Sequence, residues 1–119
     1  MAQQTHTYEF TYIITPVISD EQTKDIVRRV QKFIEEHGGT VIEVDEWGSR
    51  RLAYPINKKR NGYYVNLYFE APGEIIPRLE RAMEIDDNIL RYLTLRMDKK
   101  MLQHYERRKK EQPAAEAAE

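Results

Sequence analysis

Five cations fall within eleven positions: Arg50, Arg51, Lys58, Lys59 and Arg60, with Tyr54 between the two groups. A guanidinium is a planar fork that meets two phosphate oxygens at once, and lysine adds a point charge beside it. Cations on a strand next to a basic turn suit a phosphate backbone. A solvated run of surface charge has the same composition, so the cluster alone leaves both readings open.

Other chemistry is poorly supplied. The chain has no cysteine, which removes thiolate nucleophiles, disulfides and cysteine metal sites. Its three histidines, His6, His37 and His104, lie in separate segments without ligand spacing, so no metal site and no cofactor are expected. His37 sits where a helix should end and suits a terminal cation. Ser19 suits a helix cap, and Ser49 stands beside arginines with no evident base. The segment Gly62-Tyr63-Tyr64-Val65-Asn66-Leu67-Tyr68 partly resembles the main RNA-contacting motif of RNA-recognition-motif domains. The glycine and first aromatic fit. Tyr64 fills the small-residue slot, Val65 fills an aromatic one, and the basic residue, Arg60, is one position early. Tyr64 and Tyr68 are therefore possible open-face contacts that could stack on bases, or else they pack on a neighbouring strand or partner.

These residues must be held by secondary structure, and the chain is well punctuated. Residues 7–14 alternate, with Tyr8, Phe10, Tyr12 and Ile14 on one side, which predicts a strand ended by Thr15-Pro16. Ser19 with Gln22 makes a capping box, and Asp20 and Glu21 favour the first turn of a helix. Ile26, Val27, Val30, Phe33 and Ile34 recur at helical spacing, and Gly38-Gly39 supplies a left-handed stop. Residues 40–46 read as a strand whose Val41, Ile42 and Val44 break alternation, implying a bulge or an edge. Residues 50–56 resume it after Gly48, and Pro55 again argues for an edge. The polar run 57–62 reads as a turn ending in Asn61-Gly62. Tyr63, Val65, Leu67 and Phe69 form the apolar face of a third strand. A second helix is predicted over about 74–85, with Pro77 in its first turn, and a last strand over 89–97. On that strand Ile89, Leu93, Leu95 and Met97 share a face that also contains Arg91.

The order βαββαβ predicts an α+β chain with the ferredoxin-like split βαβ arrangement: a four-stranded antiparallel sheet, two helices on one face, and a C-terminal extension. Residues 1–98 form the domain. Residues 99–119 are a basic and then acidic tail expected to be flexible in isolation. An acylphosphatase-like enzyme of this fold class would need a phosphate-cradling arginine after the first strand. Residues 15–19, TPVIS, hold neither arginine nor glycine, so no enzymatic activity or small-molecule substrate is expected.

The net charge of −1 hides an asymmetry. Residues 1–98 carry 13 basic and 16 acidic side chains, whereas 99–110 carry six basic and one acidic. A mildly acidic domain is a poor general polyanion binder, so nucleic-acid binding would need local stripes or a basic partner. Lys99, Lys100, Arg107 and Arg108 of the tail are candidate phosphate contacts, with Met101, Leu102 and Tyr105 as candidate anchors on a partner. The longest apolar runs are far too short to cross a membrane, and without a targeting segment or cysteine the expected location is cytoplasmic.

The run Gly48-Ser49-Arg50-Arg51-Leu52-Ala53-Tyr54-Pro55-Ile56-Asn57 resembles the signature of the bacterial small-subunit ribosomal protein six family. Tyr8-Glu9, Gly62-Tyr63-Tyr64 and Asp87-Asn88 also fit, and the resemblance covers about residues 7–97. It implies the split βαβ fold and a structural role in the small ribosomal subunit. It also implies binding to the central domain of 16S ribosomal RNA as a heterodimer with small-subunit protein eighteen. By that resemblance Arg50, Arg51 and Tyr54 face RNA or partner; Lys58, Lys59, Arg60 and Arg91 join them on physical grounds. The alternative is a free-standing RNA-recognition module that stacks bases on Tyr64 and Tyr68.

Overall fold

The computed structural model describes residues 5–56 and 58–107. Its elements are β1 (Thr5–Ile14), α1 (Asp20–Glu36), β2 (Thr40–Ile56), β3 (Lys59–Pro72), α2 (Ile75–Glu84) and β4 (Ile89–Arg96). A further helix, α3, covers residues 99–107. The strands pair antiparallel in the order β2-β3-β1-β4, which is the split βαβ topology expected from the element order.

Alternation decides which side chains meet the helices. Tyr8, Phe10, Tyr12 and Ile14 of β1 and Val65, Leu67, Phe69 and Ala71 of β3 share one buried cluster with Ile26, Val27, Val30 and Ile34 of α1. Ile75, Leu79 and Met83 of α2 complete it, so both helices lie on the same face. The ends of α1 are fixed locally. Ser19 accepts from the Gln22 amide at 3.2 Å while Gln22 accepts from the Ser19 amide at 3.1 Å, closing the capping box. At the other end Gly38 takes φ +89°, and the amides of Gly38 and Gly39 donate to the carbonyls of Glu35 and Ile34. That is the Schellman closure, and a side chain at Gly38 would oppose it. His37 stacks on Phe33, and its Nδ1 lies 2.8 Å from the Phe33 carbonyl.

The opposite face of the sheet carries Glu9, Thr11 and Ile13 of β1 in register with Leu95, Leu93 and Arg91 of β4. One extra residue, Leu90, lies opposite the Ile13–Ile14 step, so Ile89 turns back to the main core. One end of this face is covered. Helix α3 is capped by Asp98, whose carboxylate accepts the Met101 amide at 2.8 Å, and it lays Tyr105 on Tyr68 with ring centroids 4.2 Å apart. Tyr68, Met97 and Tyr105 form a separate buried cluster with Met101 and Leu102 against it. Residues 99–107 of the tail are thus helical and packed on the sheet. Their apolar side chains find a partner within the chain, on the end of the sheet that the two main helices leave open. The rest of the tail, including Arg108, lies outside the described residues.

Strands β2 and β3 run past the end of β1. Ile14 pairs with Tyr63, whereas the β2–β3 ladder continues from Gly48–Tyr64 to Ile56–Lys59. The result is a two-stranded arm. Register shifts at Ile42 and Trp47 supply the bulges expected of this edge strand. A third shift is larger: between the pairs Arg51–Asn61 and Ile56–Lys59, residues 52–55 of β2 stand opposite Arg60 alone. Pro55 falls there, where no ladder donor is needed. The turn lies earlier than Asn61-Gly62. Ile56 pairs with Lys59, and Lys58 takes the left-handed φ of +66°. Asn61 and Gly62 are strand residues opposite Arg51 and Arg50. Glycine is required at 62 by packing, because an added Cβ would stand 2.3 Å from Ile13 Cγ2.

Candidate nucleic-acid interface

The arm gathers the basic cluster. Arg50, Arg51, Lys58 and Arg60 are exposed and Lys59 is half-buried. Among the described residues the ion pairs are Asp25–Arg29 and Lys32–Glu36, both within α1, so the arm's charges are not neutralised by neighbouring carboxylates. At the root of the arm Tyr63 donates to Glu46 at 2.8 Å. Partial burial, and then that hydrogen bond, push the Tyr63 hydroxyl up to about 12.

The bulged residues 52–55 tie the arm to the body. Leu52 is buried beside Ile13, both meeting over the bare backbone of Gly62. Tyr54 reaches across to β4, where the Arg91 Nη1 donates to its hydroxyl. The guanidinium carbon stands 5.8 Å from the Tyr54 ring centroid, near the outer limit for a cation–π contact. Two residues 37 positions apart are thereby joined, although sequence suggested only that both belonged to the same surface.

The tyrosines proposed as stacking platforms separate. Tyr68 is 5% exposed, lies under Tyr105, and donates to Glu9 at 2.7 Å. It offers no free ring face for a base while α3 is in place. Tyr64 is half-buried and stacks on Trp47 with ring centroids 6.1 Å apart. Trp47, which sequence reasoning passed over, is 43% exposed and donates to Asp45 at 2.9 Å. Its signal was there to read: it is the chain's one tryptophan, in an edge strand beside a glycine. Leu93 and Leu95, 57% and 40% exposed, extend an apolar strip along β4 from the covered Met97 toward Arg91.

Lys99, Lys100 and Arg107 are exposed on α3. Helix α3 meets the sheet near Glu9 and Tyr68, and the arm meets it at Ile13. Ile13 is four steps along β1 from Glu9, about 13 Å. The two basic groups therefore stand at opposite ends of the open face, with the apolar strip between them.

Comparison with known proteins identifies the family and supports the fold. Residues 7–96 match the family described as Ribosomal protein S6. The chain belongs to that family. The small ribosomal subunit protein bS6 of Caldanaerobacter subterraneus is 43% identical over 91 residues, covering 76% of this chain and 96% of the relative. That of Thermosynechococcus vestitus is 45% identical over 91 residues, covering 76% and 80%. The crystal structure of 30S ribosomal protein S6 from Thermotoga maritima superposes with a TM-score of 0.76 at 32% identity, covering 94% of this chain and 99% of that one. Membership of the S6 family gives the chain a structural role in the small ribosomal subunit, and so in the bacterial cytoplasm. The family match ends at residue 96, so α3 lies beyond it.

Proposed function

We propose that this S6-family chain binds the central domain of 16S ribosomal RNA jointly with small-subunit ribosomal protein eighteen, as a non-enzymatic part of the small subunit. The observation that carries the RNA half is the arm: five cations on a two-stranded projection, without carboxylate partners among the described residues. Such a projection brings charge to phosphates without desolvating the acidic body. The exposed Leu93 and Leu95 of β4, with Trp47 on the opposite edge strand, support the protein half. Exposed aromatic and aliphatic groups rimmed by charge are typical of protein-binding surfaces. A strongly basic partner also answers the weak charge of the domain.

The test is binding of the full chain to a central-domain 16S RNA fragment, alone and with protein eighteen, at two salt concentrations. Weak binding alone, strengthened by the partner and weakened by salt, is the expected result. Tight partner-independent binding to generic single-stranded RNA would instead favour a free-standing recognition module. The cover that α3 places on Tyr68 argues against that module.

A further inference from the structure

We infer that Tyr54 and Arg91 act as a clasp that positions the basic arm, and that Arg91 is a positioning residue and not a phosphate contact. This deepens the RNA-binding reading and rests on it. The arm extends beyond β1 and has only its own ladder to stiffen it. An isolated two-stranded hairpin is marginal in water. Its ladder is moreover broken where residues 52–55 bulge out opposite Arg60. Left there, the cations would swing with the arm, and ordering them would be charged to every binding event.

The bulge provides the remedy. It releases four residues from the ladder, and two of them are used against the body. Leu52 fills the space over Gly62 against Ile13, an apolar fulcrum where β1 ends. Tyr54, two residues on, reaches to the far edge strand and receives the Arg91 hydrogen bond. The contact crosses β1, since Arg91 is registered with Ile13. Arg91 belongs to the rigid sheet and Tyr54 to the arm, so their bond fixes one relative to the other. The guanidinium gives an Nη1 donor to the phenol and lies beside the ring, so a phosphate taking that same edge would have to break the bond that holds the arm. The aromatic in the middle of the basic cluster is thus a tether for the cations around it.

The experiment uses full-length chain, the central-domain 16S RNA fragment and saturating protein eighteen, over a range of salt. The variants are Tyr54→Phe, Arg91→Gln, the double variant, and Arg50→Gln as a phosphate-contact comparator. Tyr54→Phe keeps ring and charge but loses the acceptor. A clasp of this exposure predicts an affinity loss of about two- to fivefold for Tyr54→Phe and Arg91→Gln alike. The double variant should fall no further than the singles. The slope of log affinity against log salt should stay at the wild-type value for both, whereas Arg50→Gln should reduce it by about 0.7–0.9. Amide exchange across residues 50–62 of the free protein should quicken in Tyr54→Phe and Arg91→Gln but not in Arg50→Gln.

A reduced salt slope for Arg91→Gln would make Arg91 a phosphate contact and overturn the proposal. So would wild-type affinity for Tyr54→Phe, or losses that multiply in the double variant. Those results leave the RNA-binding reading standing. Failure of the wild-type chain to bind the fragment even with its partner would remove both.

Discussion

Truncating Tyr105 to alanine should release α3 while leaving the sheet and the two main helices folded. The attachment of α3 runs through one small cluster, Tyr105 with Tyr68 and Met97, flanked by Met101 and Leu102. None of these belongs to the core shared by α1, α2 and the sheet. Tyr105 contributes a buried ring 4.2 Å from Tyr68 and a hydroxyl that donates to Glu43 at 2.5 Å. Aromatic-to-alanine changes in a core cost about 3–5 kcal/mol. An open cleft of about 320 Å³ runs alongside, lined by Glu9, Lys100 and Met101 among others, which places this site at the lower end, about 3 kcal/mol. A helix this short has almost no stability apart from its packing, so undocking and unwinding should coincide. Peripheral elements open at free energies well below the global value. The loss should therefore be confined to α3. Native-state hydrogen exchange is the assay: amides of 101–107 should lose protection while those of Phe10 and Tyr12 keep theirs. The melting temperature of the body should fall by less than about 4 °C. If the body instead loses the full amount, roughly 12 °C or more, α3 is an integral part of one cooperative unit. If the 101–107 amides stay protected, Tyr105 is not the anchor. Either result would refute the reasoning.

Three further outcomes follow from local geometry. Gly62→Ala should destabilise by about 1–3 kcal/mol, read as a lower urea midpoint, because the new methyl meets Ile13 at 2.3 Å. Ser19→Ala removes the capping-box acceptor of α1 and should cost about 1 kcal/mol by the same measurement. Stability should also fall between about pH 10 and 12. Tyr63 is held up to about 12 by partial burial and its bond to Glu46, and Tyr92 to about 12 by its bond to Glu84 and then burial. Because the folded state favours the protonated phenols, their contribution is complete below the ordinary tyrosine value near 10 and is lost as pH rises through the folded one. Tyr63→Phe and Tyr92→Phe together should flatten that decline; an unchanged alkaline profile would place the sensitive groups elsewhere.

What could be read from the sequence divides by the range of the interaction. The capping box at Ser19 and the left-handed stop at Gly38 depend on residues three or four positions apart, and both were legible. The turn was misplaced because Asn61-Gly62 is a strong local signal, while the true register comes from a bulge answering to Ile13 on another strand. Met101, Leu102 and Tyr105 were legible as an apolar stripe but not as one whose partner is the chain's own sheet. Arg91 was selected by charge alone; its bond to Tyr54 spans 37 residues and no local pattern encodes it. Leu93 and Leu95 carry the more general point. Their alternation is that of a face to be covered, yet both remain exposed on a sheet whose two main helices lie on the other side. Helix α3 covers the same row only as far as Met97. A period of two reports that a face is apolar and leaves open which molecule covers it. The chain itself covers Met97 but not Leu95 and Leu93, and that uncovered remainder is the surface the proposed protein partner would bury.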